Sequence, residues 1–386
     1  MRIILNELRK IFSPMMIVLI LFSFALCFGI RFYSDIDYYL DGSPDGLYSL
    51  NYDYKYLLKL KEICGETLEP DEFESVVLKD YDALIAMANE LIAANETFAE
   101  YGVHSYQEFD EYCIWSDEEY EKMSDEEINL CYERQDDMRN ILDSNLDHIT
   151  KKIDKHEFII HEYNEYYSPE VSAIAYSTEF DDLFQWVLVF LLICVSITVS
   201  PMLVTDNMRN IRPLQYHSSA GRGILIYQLV ATIIAACVTT VGFITFLMLT
   251  YLSTGLQAFW NSPLKGFYNY ARWINFKFDF TLGQFVLFMS ALCMLFAIGL
   301  SMIIFFLAKI SSNYISLILK LIPACIAACI FGYHESYRPF FRNYDPVAYE
   351  YLDSYNMSFV WAAAAMLITG AVLAIFVMWR EKKREI

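Results

Sequence analysis

Five stretches of this chain each run for 20 or more residues without an Asp, Glu, Lys, Arg or His side chain. They are residues 11–30, 183–205, 223–264, 280–308 and 354–379. A hydrocarbon core about 30 Å thick needs roughly 20 apolar residues in helical form, so each stretch is long enough to span a bilayer. Backbone groups in lipid must satisfy one another, and a single apolar stretch does so as a helix.

A sixth stretch, residues 313–333, is apolar apart from Lys320. We therefore predict an all-α fold, in which a bundle of six transmembrane helices carries a mainly helical extracellular domain between its first two spans. The predicted spans lie near residues 13–31, 183–204, 223–252, 281–308, 313–333 and 358–379. An even number of spans places both termini on the same side of the membrane.

Lys and Arg residues predict which side that is, because short cytoplasmic loops are enriched in them. With the N-terminus inside, the short cytoplasmic segments hold 11 Lys and Arg residues, whereas the short external loops hold 5. This bias favours a multi-pass protein with both termini in the cytoplasm, residues 32–182 outside, and residues 380–386 as a basic cytoplasmic tail.

The segment 32–182 is strongly acidic. It holds 39 Asp and Glu against 10 Lys and Arg, so its net charge is −29, while the rest of the chain carries +9. Such a domain does not bind nucleic acid, and it repels anionic lipid headgroups. It could attract cations or a basic peptide, or its charge could simply keep the domain soluble.

The same segment has helical periodicity. Apolar residues recur at spacings of three, four or seven between Phe73 and Phe98 and again between Ile128 and Tyr163, which is typical of amphipathic helices packed together. Two S-x-x-E sequences, at 116–119 and 124–127, predict capped helix starts. Residues 33–56 are rich in Tyr, Asp and Gly and favour turns. About 150 residues are enough to bury a separate core.

Two patterns in this domain resemble metal sites but lack a required ligand. His156 and His161 are five residues apart, about 140° off a common helix face, whereas zinc-protease histidines are four apart. Residues 41–46 begin like a calcium loop, but Tyr52 stands where the bidentate Glu is needed. We expect no zinc catalysis, and at most a loose cation site at 41–46.

Three cysteines, Cys64, Cys113 and Cys131, lie in the acidic domain. An odd number cannot pair completely within one chain, and one disulfide could form among them. Nothing in the sequence selects the pair.

The predicted spans contain one ionisable side chain away from their ends, Lys320. Its amine could extend back to the membrane interface next to a helix kinked at Pro323, or the two residues could take part in a pathway or gate. No Asp, Glu or His within the spans can carry protons, and no G-x-x-x-x-G-K-[ST] sequence can hold ATP phosphates. If the protein transports a substrate, a partner must supply the energy.

The predicted cytoplasmic connection between spans two and three begins with an acid, Asp206, and ends in Ser-Ser-Ala-Gly-Arg at 218–222. This arrangement resembles the permease subunits of bacterial ABC-2-type transporters, particularly those with a large extracellular domain after the first span. Residues 1–12 resemble the amphipathic elbow of that family. The chain departs from the family pattern at Arg209-Asn210, where Gly-Thr is often found, and at Gln228, where a Lys often opens the third span.

The resemblance implies that the short helix in this connection docks onto a separate ATPase subunit. The implied docking residues are Asp206, Asn207, Arg209, Arg212, His217, Ser218, Ser219, Gly221 and Arg222. ATP and Mg would be bound by that partner, and this chain would bind no cofactor and catalyse no reaction. A second permease half, identical or related, would complete the path for a hydrophobic or amphipathic cargo such as a peptide, drug or lipid-like molecule.

Two other classes of function remain open. A membrane receptor would bind a ligand through residues 32–182 and signal through a separate cytoplasmic partner. An intramembrane enzyme is disfavoured, because Ser301 has no His or Lys base beside it in the sequence.

Overall fold

The computed structural model describes residues 2–33, 50–120, 122–166, 179–208, 221–252, 256–263, 280–336, 342–345, 350–355 and 357–383. The chain forms two compact units. One contains Met1–Leu40 and Tyr176–Ile386, and the other contains Asp41–Ala175. We call the first the apolar bundle and the second the acidic unit.

Fourteen α-helices of four or more residues are named here in chain order. They are α1 (Arg2–Ile11), α2 (Pro14–Cys27), α3 (Leu50–Cys64), α4 (Lys79–Ala94), α5 (Glu96–Glu100), α6 (Tyr106–Asp110), α7 (Asp117–Tyr120), α8 (Asp125–Asn145), α9 (Ile149–Tyr166), α10 (Glu179–Met208), α11 (Ile224–Leu252), α12 (Leu282–Lys309), α13 (Tyr314–Ser336) and α14 (Ser358–Lys383). A π-helical segment, Phe28–Phe32, continues α2, and a second one, Phe73–Leu78, follows the turn Pro70–Glu72 and leads into α4.

Six helices in the described part of the chain are long and apolar enough to cross a membrane. Their spans are Pro14–Phe32, Phe184–Thr205, Ile224–Leu252, Leu282–Lys309, Tyr314–Tyr333 and Ser358–Lys383. The sequence prediction of six such helices is therefore confirmed, and it is compatible with a multi-pass membrane protein. The last helix continues past the predicted end at 379 as far as Lys383, and Glu381 in this added turn is fully buried.

In the described part of the chain, a short antiparallel strand pair interrupts the helical pattern. Strand β1 (Arg342–Asp345) pairs with β2 (Glu350–Tyr355), with Tyr344 opposite Tyr351. The prediction of an all-α fold includes no strands between α13 and α14, and it is wrong at these two segments.

Aromatic contacts show the relative directions of the first three spans, α2, α10 and α11. Phe24 lies 5.1 Å from Phe243, and Phe32 at the far end of the first span lies 6.5 Å from Tyr251, so α2 and α11 run in the same direction. Phe32 also lies 5.9 Å from Phe190 in the first half of α10. Helix α10 therefore returns antiparallel to α2.

Contacts at the helix ends extend this order to the rest of the bundle. The end of α10 meets the beginning of α13 through Thr205 and Tyr314, whose hydroxyl oxygens are 2.6 Å apart. The end of α12 meets the beginning of α11, since Lys309 Nζ donates to Gln228 Oε1 at 2.7 Å. We call this side of the bundle the Lys309 end. Helix α1 directly precedes α2 and packs against α11 and α10, so it belongs to the same end.

The backbones of helices α12 and α14 approach each other closely. A Cβ atom built on Gly299 would lie 2.7 Å from the carbonyl carbon and oxygen of Met366, and one on Gly370 would lie 2.5 Å from the carbonyl oxygen of Gly299. Both glycines thus allow a separation that a larger residue forbids, as small residues commonly do between apolar helices.

The acidic unit has a core of its own. Its fully buried members come from α4 to α9 and include Ile92, Phe98, Phe109 and Leu142. The predicted periodicity is confirmed in most positions, with one difference: Ile159 is fully buried, whereas Ile160, which the sequence spacing selects, is half-buried.

Polar caps fix the helix boundaries of this unit. The predicted capping box at Ser124 is confirmed: Ser124 Oγ accepts from the Glu127 backbone N–H, and Glu127 Oε2 accepts from the Ser124 N–H at 2.9 Å. These bonds lower the pKa of Glu127.

The expectation of turns throughout 33–56 is wrong for its last part, because α3 begins at Leu50 and buries Tyr56 and Leu60.

The glycine contact between α12 and α14 generates a stability prediction. Gly299→Val must push two helix backbones apart, and overpacking of this kind costs about 1–3 kcal/mol. We expect a lower thermal unfolding midpoint for the detergent-purified full-length protein, measured by tryptophan fluorescence.

Gly29→Ala is the matched control, because a Cβ on helical Gly29 meets nothing within 4 Å. It should leave the midpoint unchanged or raise it. Equal loss in both variants would contradict the close packing of α12 on α14.

Candidate functional site

Several hydroxyl groups inside the apolar bundle donate to carbonyl oxygens of their own helices. Ser196 Oγ donates to the carbonyl oxygen of Leu192 at 2.7 Å, and Thr232 Oγ1 donates to that of Gln228 at 2.8 Å. Four-residue back-bonding of this kind satisfies a hydroxyl without water or a neighbouring helix.

Helix α1 is amphipathic, as predicted for the elbow, and it turns a charged side chain toward the bundle. Glu7 is 4% exposed and Ile11 is 1% exposed, while Arg2 and Arg9 are exposed. Glu7 Oε1 accepts from Lys10 Nζ at 2.8 Å, an i, i+3 pair in the last turns of the helix. This buried carboxylate fixes which face of α1 packs on the bundle.

A deeply buried polar contact at the Lys309 end joins two spans. Lys309 Nζ donates to Gln228 Oε1, and both residues are nearly inaccessible, at 3% and 1%. The amine also lies 5.5 Å from the centre of the Phe305 ring, within the range of a cation–π contact. This contact ties the beginning of α11 to the end of α12.

Lys320 extends back toward the Lys309 end. Its amine lies 3.2 Å from Ser311 Oγ and 3.4 Å from the carbonyl oxygen of Ile310, the residue that caps α12. A cation beside the last carbonyls of a helix is favourable because these carry partial negative charge. Pro323, in contrast, lies inside α13 with an exposed side chain.

The structure describes only the two ends of the predicted docking segment. Asp206 and Asn207 fall in the last turn of α10, and Arg222 falls in the 3₁₀ turn Gly221–Gly223 that leads into α11. Gly221 has φ of +54°, a left-handed conformation that explains the need for glycine at this turn. The other predicted docking residues lie outside the described residues: Arg209, Arg212, His217, Ser218 and Ser219.

The C-terminal end of α14 adds a second buried acid. Glu381 is fully buried and accepts from Arg380 at 2.9 Å. Phe376, one turn earlier, lies 6.4 Å from Phe306 near the end of α12, so this acid also belongs to the Lys309 end.

Four buried polar residues at this end were not selected as site residues from the sequence: Glu7, Gln228, Lys309 and Glu381. The only signal that could have found them is the position of a polar residue within one or two turns of a predicted span end.

No group of three or more His, Cys, Asp or Glu side chains that could hold a metal ion is found in the described part of the chain. His156 is a core residue of the acidic unit, with its ring 4.5 Å from that of Tyr56 and its Nδ1 2.8 Å from the carbonyl oxygen of Lys152.

Comparisons with protein-family models, curated proteins and solved structures find no match to this chain.

The contact between Lys309 and Gln228 generates a prediction about the bundle. Gln228→Leu keeps the side-chain volume but removes the acceptor, and a hydrogen bond to a charged group contributes about 1.5–3 kcal/mol. We expect the thermal midpoint of the purified protein to fall.

Gln228→Glu is the matched control, since its carboxylate also accepts from the amine. It should keep the midpoint within error of the wild type. A normal midpoint for Gln228→Leu would show that this contact does not hold α11 to α12.

Proposed function

We propose that the chain is the permease subunit of an ATP-driven exporter of the ABC-2 type, which moves a hydrophobic or amphipathic cargo out across the bacterial plasma membrane. A separate ATPase subunit would bind ATP and Mg, and a second permease half would complete the pathway. The proposal rests on the sequence resemblance at Asp206–Arg222.

One structural observation supports it. Helix α1, the end of α10 at Asp206 and the turn at Gly221 all belong to the Lys309 end of the bundle. An ATPase that binds the short segment between Asp206 and Gly221 would therefore also lie next to α1. A single partner could then push on the elbow and on two spans at once.

The buried contacts at this end suit the transmission of such a push. Helix α1 packs on α11 through its buried face, and Lys309 joins α11 to α12. Helix α12 in turn packs on α10, α13 and α14. Movement of the docking segment would therefore displace the whole half rather than bend one helix, as a rigid-body transition requires.

The outer faces of the bundle suit a lipid environment and an apolar cargo. The exposed side chains on α2 and α13 include large apolar ones, among them Val18, Phe22, Ile318 and Ile322. These faces would contact lipid or the second half. The acidic unit would lie outside, where its charge could guide a cationic peptide or keep the exit soluble.

The docking role of Asp206 can be tested by charge reversal. We expect Asp206→Lys to abolish co-purification of an ATPase with the full-length protein, because the acid at this position would contact the partner. The measurement is vanadate-sensitive ATP hydrolysis in the affinity-purified sample, normalised to the amount of this chain.

Lys79→Glu is the control, since it reverses an exposed charge in the acidic unit. It should retain the co-purified ATPase activity, as should Lys320→Gln if that amine only caps α12. Wild-type protein that carries no ATPase from native membranes, or an Asp206→Lys variant that retains it fully, would contradict the proposal.

A further inference from the structure

The fold of the acidic unit brings two of its three cysteines together. Cys113 lies in the turn after α6, and Cys131 lies in the second turn of α8, with their Sγ atoms 3.2 Å apart. Both thiols are free in the structure and half-buried, and Cys131 Sγ also lies 3.5 Å from the carbonyl oxygen of Tyr112. Cys64 instead neighbours Glu72, and burial together with the charge of Glu72 raises the pKa of the Cys64 thiol.

We propose that Cys113 and Cys131 are a redox-active pair that forms an intramolecular disulfide by exchange with a small-molecule or protein disulfide. One protein thiolate attacks a sulfur of the donor, forms a mixed disulfide and releases one donor thiol. The second protein thiolate then attacks the first cysteine sulfur and releases the other donor thiol. Two protein thiols are thereby oxidised, the donor disulfide is reduced to two thiols, and the two protons pass to those thiols.

The bond would close an unusually charged loop. Residues 114–130 contain seven Asp and Glu and one Lys, and they include α7 and the beginning of α8. Like charges at this density repel one another and favour opening of the loop. A covalent link across its base opposes that opening and removes conformational freedom from the open state.

Aromatic rings take part in the non-covalent contacts near the base of the loop. The Trp115 ring lies 5.7 Å from that of Tyr132, and the Arg134 guanidinium lies 5.2 Å from the centre of the Tyr101 ring. Trp115, Tyr101 and Arg134 are half-buried and Tyr132 is exposed, so solvent reaches these contacts in part. A disulfide between Cys113 and Cys131 would add a covalent link between the two ends of the acidic loop.

The surroundings of Cys113 disfavour its thiolate form. Burial and the neighbouring Cys131 raise the pKa of Cys113 to about 12, with a further contribution from Asp136 that Arg139 partly offsets. Because the thiolate is the attacking species, the rate of oxidation should rise as pH increases from 7 toward 9. The pairing follows from geometry and does not depend on the protein being an exporter.

The test uses the full-length protein in detergent, equilibrated with mixtures of reduced and oxidised glutathione. After acid quenching and alkylation, peptide mass spectrometry identifies the cysteines that are linked. We expect a Cys113–Cys131 cross-linked peptide, with Cys64 alkylated or carrying one glutathione. Hydrogen exchange in peptides covering 114–130 should slow by about tenfold or more in the oxidised protein.

Cys64→Ser should behave like the wild type in both measurements. Cys113→Ser should lack the cross-link and exchange like the reduced wild type under oxidising conditions. If Cys113→Ser does not fold, the oxidised and reduced forms of the wild type still provide the comparison. Three results would each overturn the proposal: a disulfide between Cys64 and either of the other two cysteines, glutathione on both Cys113 and Cys131, or equal hydrogen exchange in the two redox forms.

Discussion

The apolar bundle depends on the requirement that polar groups within long apolar helices find hydrogen-bond partners, most often in the same helix. The backbone does so by helical hydrogen bonds, and hydroxyls such as those of Ser196 and Thr232 do so by donating four residues back. Helix association is then left to close packing, as where Gly299 of α12 meets Gly370 of α14. Charged side chains are displaced to the ends, where they can reach one another or water.

Because charged side chains lie near the helix ends, the Lys309 end contains several that are buried. Glu7, Lys309 and Glu381 are each at most 4% exposed, and all three lie within two turns of a helix terminus. Charges buried at such positions are sensitive to displacement, because loss of a partner leaves a desolvated charge behind. In the proposed exporter, they would make this end respond as one body to a partner at α1 and Asp206.

Local patterns were sufficient to predict most of the fold. The six apolar helices follow from runs of uncharged residues, and the start of α8 follows from Ser124 and Glu127, which are three residues apart. The hairpin at 342–355 and the helical start of α3 at Leu50 were missed, because short Tyr-rich segments carry weak periodicity. The one-residue phase difference at Ile159 reflects packing against other helices rather than local spacing.

Contacts between residues distant in the chain could not be predicted. Gln228 and Lys309 are 81 residues apart, and nothing in either local sequence indicates that they meet. The choice of Cys113 and Cys131 among three cysteines likewise depends on how α6 and α8 pack. Sequence reasoning identified Lys320 as the unusual charge in the spans, and its contact with Ser311 required the structure.

The most direct test of the account is the sidedness of two inserted protease sites, one after Lys122 in the acidic loop and one after Asn210 in the docking segment. The account predicts that protease added to intact cells cuts at the first site only, and that protease added to inverted membrane vesicles cuts at the second only. Cleavage after Asn210 in intact cells would contradict the proposed function, because no cytoplasmic ATPase could then reach the segment.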